Sequence, residues 1–186
     1  MHDKIKAVFF DRDGTLIHEK PGVYLSNPAD VHLYAPVPAA LKRLGKAGFH
    51  FFIVSNQSGI GRGYFTEKEV HAVHARLQEL LKPAVIEEIV FCPHAPGQNC
   101  ACRKPGTLLG ERLIKKHRID PVRSFMVGDK KADVLFGQKL GLRSVLVQTA
   151  NGKNHLKKYP DLRPDFIAKD MRAAASYILK EDTKRE

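Results

Sequence analysis

The sequence predicts an α/β fold, a three-layer sandwich in which a mostly parallel sheet is covered by helices on both faces. Two observations carry this expectation. Short apolar, β-branched and aromatic runs bounded by turn residues recur along the chain, as buried strands do, and longer segments of helical periodicity separate them. Strands alternating with helices form right-handed βαβ units, and these build a parallel sheet with helices on each side. A chain of 186 residues holds one sizeable core and is short for two. One domain is therefore expected over residues 1–179. Residues 180–186 mix both charge signs and read as a polar, solvated tail.

Strands are expected over residues 5–10, 50–55, 88–92, 124–127 and 144–147, and helices over 37–47, 66–81, 107–117, 132–140 and 171–179. Thr66 followed by Glu69 is a capping box and marks the start of the second helix. Residues 16–36, rich in Pro and Gly, are too long for a plain connection and are expected to form a flap. Ligands of such sheets bind at the carboxyl ends of the strands. Asp11, Ser55, the 92–104 loop and Asp129 each follow a strand, so they are expected to converge on one cleft under that flap.

Composition narrows the partners. No apolar run approaches the ~18 residues needed to span a bilayer, so a soluble, cytoplasmic protein without a membrane partner is expected. The three cysteines all lie between positions 92 and 102, where they cannot staple a secreted fold, and a reducing compartment fits them better. A formal charge of +11 favours an anionic partner: nucleic acid, an acidic lipid surface or a phosphorylated small molecule.

Asp11-Arg12-Asp13-Gly14-Thr15 places two carboxylates two positions apart where the chain leaves the first strand, and Gly14 lets the backbone turn tightly. Taken alone, Asp-Gly is a common polar turn. Here it heads an ordered set: Ser55 ends the second strand, Lys104 follows the third, and Gly128-Asp129-Lys130-Lys131-Ala132-Asp133 follows the fourth. In this order the four motifs resemble those of the haloacid dehalogenase superfamily of phosphotransferases, across nearly the whole expected sheet. The resemblance implies a Rossmann-like fold, here with no stretch long enough for a large cap domain. It also implies that Asp11 is the nucleophile taking the phosphoryl group. Asp13 would be the general acid that protonates the leaving oxygen and later activates water. Asp11, Asp129 and the main-chain carbonyl of Asp13 would hold Mg²⁺, Ser55 and Lys104 the phosphate oxygens, and Asp133 would brace the metal shell.

The residue types suit that chemistry. Phosphate-monoester hydrolysis demands an acceleration of up to ~10²¹, roughly 29 kcal/mol, which one carboxylate cannot supply. A carboxylate nucleophile is repelled by an anionic phosphate unless a divalent cation and a lysine screen both. Mg²⁺ prefers hard oxygen ligands, and a two-step route gives Asp13 two matched proton transfers.

Cys92-Pro93-His94 and Cys100-Ala101-Cys102 put four soft or borderline ligands into eleven residues, as two hooks able to close a tetrahedron around Zn²⁺. The plainer alternative is a buried Cys92 ending a strand beside a pair of reduced thiols. Four protein ligands make a closed, structural site, and this one would stiffen the loop presenting Arg103 and Lys104. The zinc loop narrows the resemblance to the phosphatases of D-glycero-D-manno-heptose 1,7-bisphosphate and of histidinol phosphate. The run from Ser55 through Gly63, followed by Phe65-Thr66-Glu67, is similar to the heptose branch and implies removal of the 7-phosphate of a sugar bisphosphate. By that similarity Ser55, Asn56, Gln57, Ser58, Arg103, Lys104, Lys130 and residues around Glu19 to Tyr24 contact substrate. The seven residues between Cys92 and Cys100 resemble the compact loop of the histidinol branch, which is the alternative.

Other features attract less chemistry. Gly59-Ile60-Gly61-Arg62-Gly63 lacks the full dinucleotide spacing; its amides could form an anion-binding turn with Arg62 reaching a second phosphate, or Arg62 could be a plain surface arginine. His71 and His74 lie three apart without a third ligand and read as solvated or packed. Ser58 sits in no nucleophile elbow. A basic zinc-loop protein could instead be a nucleic-acid-binding module, or a polynucleotide 3′-phosphatase. The Cys-x-Cys arm and the lack of an enclosed recognition helix argue against the module.

Overall fold

The computed structural model describes residues 4–19 and 22–184. The uninterrupted apolar run Ala7–Phe10 forms β1, and all four residues are buried, as a strand covered on both faces requires. The remaining strands are β2 (His50–Asn56), β3 (Ile86–Cys92), β4 (Phe125–Gly128), β5 (Arg143–Val147) and β6 (Phe166–Ala168). They pair entirely in parallel in the order β3-β2-β1-β4-β5-β6. The helices are α1 (Val37–Lys46), α2 (Ser58–Gly61), α3 (Glu67–Leu81), α4 (Leu108–His117), α5 (Lys131–Lys139), α6 (Gly152–Lys158) and α7 (Met171–Thr183).

Alternation along the strands divides the core in two. Val8 and Phe10 of β1, with Phe51 and Ile53 of β2, pack on one face against α1, α3 and α7. Ala7 and Phe9, with Phe52 and Val54, pack on the other against Leu109 and Leu113 of α4 and Phe136 of α5. Each fully buried Phe here contributes about 2–3 kcal/mol by removal from water. Register then sets the site. Phe10 lies level with Ile53 of β2 and Val127 of β4, so Asp11, Ser55 and Asp129 emerge at the same end of the sheet. The chain reverses direction across the sheet between β1 and β4, which opens a crevice at that end.

The capping box forms as expected: Thr66 Oγ1 accepts from Glu69 N, and Glu69 Oε2 accepts from Thr66 N at 2.7 Å. Four elements differ from expectation, the four-residue α2 among them, since no expected helix covers residues 58–61. β6 and α6 went unforeseen because three residues, one of them the exposed Ile167, and a lysine-rich heptapeptide carry no clear period. α7 runs on to Thr183 rather than ending at 179, because Asp182 is buried and bonded to Lys6 Nζ beside β1. The solvated tail is shorter by that much; Arg185 and Glu186 lie outside the described residues. The segment 16–36 is not wholly a flap either. Leu16, Ile17 and Val31 belong to the core and pin its roots, while a 3-10 turn over Pro28–Asp30 and the exposed Val23 and Tyr24 form its outer part. Among the described residues no helix is long and apolar enough to cross a membrane.

The two histidines of α3 part company. His71 is exposed, whereas His74 is buried with its ring 5.6 Å from that of Phe91. Burial, reinforced by the nearby Arg12 charge, holds the His74 imidazole down at about 3. The folded state thus binds this proton less readily than the unfolded chain, whose histidine titrates near 6.5. His74 therefore favours folding fully above pH ~6.5 and progressively less as pH falls towards 3. His74→Leu is expected to lose less stability than wild type between pH 7 and pH 4, by roughly 2–4 kcal/mol in urea unfolding; equal losses in both proteins would refute this.

Candidate active site

The end of β1 delivers Asp11 and Asp13 into the crevice. Asp11 N donates to Val127 O of β4 at 2.9 Å, so the first residue past the strand is still held to its neighbour. Gly14 then turns the chain at φ +82°, where a Cβ would lie 2.6 Å from Asp129 Oδ2. That closeness brings the β1 and β4 loops together. Ligand oxygens of Asp11, Asp129 and Asp133, all buried, lie within 4.8 Å of one another.

Lys104 enters this cluster from the loop after β3. Its Nζ donates to Asp11 Oδ1 at 2.8 Å and to Val54 O at 2.6 Å, and lies 2.6 Å from Asp133 Oδ1. Asn56 holds the loop in place by a two-way clamp on the Lys104 backbone, donating to its carbonyl and accepting from its amide at 2.9 Å. Asp133 also caps α5, with Oδ2 accepting from Lys130 N at 2.9 Å. Burial raises the Asp11 carboxyl above its ordinary range despite the Lys104 charge. Burial opposes the Lys104 ammonium, yet Asp11 and Asp133 outweigh it and hold the lysine charged.

Asp13 is held differently. Arg12, 1% exposed, donates from Nη2 to Asp13 Oδ1 at 3.0 Å and to Gln57 Oε1 at 3.0 Å, and from Nε to Asp13 Oδ2. Gln57 Nε2 donates to Asp13 Oδ2 at 2.8 Å and to Ser55 Oγ at 2.6 Å. Burial would raise the Asp13 carboxyl, but the Arg12 guanidinium and Gln57 bring it below its usual value. Asp129 behaves in the opposite way. Burial, with Asp11 and Asp133 close by, pushes it up to about 7, and its Oδ1 is buried with no hydrogen-bond partner. A carboxylate that resists ionisation and keeps one oxygen open fits a divalent, oxygen-seeking cation such as Mg²⁺.

Asp11, Asp13, Ser55, Asn56, Gln57, Ser58, Arg103, Lys104, Lys130 and Asp133 all line one cavity of about 500 Å³, with Glu19 and Tyr24 of the flap on its opposite wall. Asp129 lies behind this lining, grouped with Asp11 and Asp133. Asn56 and Gln57, expected at the substrate, spend their amides on Lys104, Arg12, Asp13 and Ser55. Lys20 and Pro21, within the expected contact stretch, lie outside the described residues. Arg62 is exposed and does not line the cavity. Tyr24 packs its ring at a tilt 5.0 Å from that of Tyr64, joining the flap to the segment after α2.

Two residues at the site carried no sequence signal. Arg12 reads as a surface side chain until the fold swallows it. Asn151, at the N-terminus of α6, reaches both Asp129 and Glu19, and nothing in its local sequence marks that contact.

The second cluster lies on the loop behind Lys104. Cys92 Sγ is 3.6 Å from Cys100 Sγ and 3.2 Å from Cys102 Sγ, and His94 Nδ1 is 3.5 Å and 3.2 Å from Cys92 and Cys102. Bonds of ~2.3 Å to a tetrahedral zinc give edges of roughly 3.8 Å, so these four ligands fit such an ion with small adjustment. The sulfurs are too far apart for disulfides. Burial and the neighbouring thiols push the Cys92 thiol up to about 12.

A parallel sheet of this strand order with an acidic crevice at its switch point is a Rossmann-like α/β scaffold, and a HAD-hydrolase-like family model matches residues 101–174. The chain belongs to the haloacid dehalogenase-like hydrolases. It is 39% identical over 141 residues, covering 74% of this chain and 95% of the relative, to the probable D-glycero-D-manno-heptose-1,7-bisphosphate 7-phosphatase of Thermoplasma volcanium. It is 37% identical over 143 residues to the histidine biosynthesis bifunctional protein HisB of Campylobacter jejuni subsp. doylei, covering 75% of this chain but 41% of that protein. The crystal structure of D,D-heptose 1,7-bisphosphate phosphatase from B. bronchiseptica, complexed with magnesium and phosphate, matches with a TM-score of 0.86 at 28% identity, covering 95% of this chain and 99% of that one.

The close approach at Gly14 is testable. Gly14→Ala forces an L side chain into the left-handed region and against Asp129, and is expected to destabilise the fold by more than ~2 kcal/mol in urea unfolding. A loss below ~0.5 kcal/mol would mean that the two loops are not locked together as described.

Proposed function

We propose that this chain is a Mg²⁺-dependent phosphatase that removes the 7-phosphate of D-glycero-D-manno-heptose 1,7-bisphosphate through an aspartyl-phosphate on Asp11. The carrying observation is the buried Asp11 carboxylate, held by Lys104 and grouped with Asp129 and Asp133 at the sheet crevice. Similarity to phosphatases bearing that substrate's name supports the choice of sugar. The three free thiols suit a reducing cytoplasm.

In this reading an Asp11 carboxylate oxygen attacks phosphorus, and the bond to the sugar oxygen breaks. Asp13, aimed by Arg12 and Gln57, gives its proton to that departing oxygen. The incoming phosphate anion raises the proton affinity of Asp13 and so offsets the hold of Arg12. Asp13, now a carboxylate, takes a proton from a water that attacks the aspartyl-phosphate, which releases phosphate and restores Asp11. Lys104 Nζ and Ser55 Oγ neutralise and bond the phosphoryl oxygens. Ser58, Arg103 and Lys130 face the rest of the substrate, where the charges of Arg103 and Lys130 suit its second phosphate. Asp11, Asp129 and the main-chain carbonyl of Asp13 would hold Mg²⁺, which when bound stabilises the negative charge on the phosphoryl oxygens. Cys92, His94, Cys100 and Cys102 would hold a structural Zn²⁺ that fixes the loop carrying Arg103 and Lys104.

Histidinol phosphate is the second reading, favoured by the compact loop between Cys92 and Cys100 and by the likeness to HisB. The deciding assay compares kcat/KM with Mg²⁺ for both heptose 1,7-bisphosphate anomers and for histidinol phosphate. A heptose preference of tenfold or more is expected, and a histidinol preference would reverse the assignment. Asp11→Asn should lower turnover by more than ~10⁴-fold while its circular-dichroism spectrum stays that of the folded protein; retained activity would remove Asp11 as nucleophile. Metal analysis should find one zinc per chain in wild type and none in Cys100→Ser, and wild type without zinc would end the structural-zinc reading.

A further inference from the structure

Asp129 keeps one oxygen held and the other open, and a single residue does the holding. The backbone N and the side-chain Nδ2 of Asn151 each donate to Asp129 Oδ2 at 3.0 Å. Oδ1 is left buried without a hydrogen-bond partner. Nδ2 of Asn151 donates also to Glu19 Oε2 at 2.7 Å, and Lys130 Nζ bonds both oxygens of Glu19. One amide group thus ties the carboxylate after β4 to the root of the flap.

The backbone around Asn151 is held in a costly form. Ala150 sits at φ +33°, in the left-handed region where a residue with a side chain is strained. Its conformation is enforced on both sides. Thr149 Oγ1 donates to Gly14 O at 2.5 Å, and Gly152 N donates to Thr149 O at 2.8 Å. A Cβ on Gly152 would fall 1.9 Å from Val147 O, so the loop packs directly against the end of β5. A strained turn over-determined by its surroundings aims Asn151 at Asp129.

We infer that Asn151 is a positioning residue that selects which oxygen of Asp129 faces the metal site and couples that site to the flap through Glu19. A carboxylate free to rotate offers a cation a mixture of orientations; one with Oδ2 saturated offers Oδ1 alone. Partners that orient a metal ligand in this way are commonly worth 10–100-fold in metal affinity. The inference rests on the Mg²⁺ reading above, and its test separates the two.

The experiment titrates protein freed of Mg²⁺ but keeping its zinc with Mn²⁺, following free Mn²⁺ by its EPR signal, and measures amide hydrogen exchange over residues 22–34 before Mn²⁺ is added. Wild type should bind one Mn²⁺ per chain. Asn151→Ala, which keeps the backbone donor but loses Nδ2, should bind about tenfold more weakly and exchange its flap amides faster. At saturating Mg²⁺ its kcat should return to within a few-fold of wild type, because no reacting group is removed. Asn151→Ser serves the same comparison if the alanine variant fails to fold. No Mn²⁺ binding by wild type would overturn the metal reading itself. Binding by wild type and variant with equal affinity would overturn the positioning role alone, and unchanged flap exchange would overturn the coupling.

Discussion

Everything at the crevice depends on one buried ammonium. Lys104 is 3% exposed and sits among Asp11, Asp133 and the Val54 carbonyl, a position tolerable only because each of its donors finds an acceptor. Three buried carboxylates at one point would otherwise repel one another and take up protons. With Lys104 present, Asp11 and Asp133 share a positive charge, and the remaining deficit falls on Asp129, whose open oxygen matches a divalent cation. Removing either side of the pair leaves the other as an uncompensated charge, at a cost of several kcal/mol.

That ammonium must be delivered accurately, and the delivery explains the architecture behind it. The loop after β3 is anchored at its start by Cys92, fully buried in the core, and at its end by the Asn56 clamp on the Lys104 backbone. The Cys and His side chains gather between those anchors. The clamp residue ends β2, the nucleophile candidate follows β1, and the pairing of β2 with β1 sets their relative height. A change in strand register would therefore move Lys104 relative to Asp11 by a whole residue spacing of roughly 3.3 Å.

The opposite wall of the cavity is built from less rigid material. The flap is rooted by Leu16, Ile17 and Val31 in the core, but its cavity face meets the catalytic wall through polar links, chiefly Glu19 with Lys130 and Asn151. Polar links at a partly solvated surface are weaker and more exchangeable than packed apolar contacts. A rigid wall that carries the reacting groups thus faces a tethered wall that can adjust to what is bound.

The residues that read clearly in the sequence are those whose signal is local. Apolar runs ending in Asp11, Ser55 and Asp129 mark both strand and site, because a buried parallel strand is continuously hydrophobic and its carboxyl end is where polar groups emerge. The Cys and His hooks are legible for the same reason, since their ligands lie within eleven residues. Arg12 and Asn151 are not legible. An arginine beside an aspartate looks like a surface pair until Gln57, forty-five positions away, closes over it, and Asn151 meets Asp129 across twenty-two positions because β5 lies beside β4. By itself the amino-acid sequence determined the order of β1 to β5 and of the five longer helices, the chemistry available at their strand ends and the four clustered soft ligands. The tertiary structure alone decided which side chains hold Asp13 and Asp129, how far α7 extends and how the flap is tied down, because those depend on contacts between segments that only parallel pairing brings to the same height.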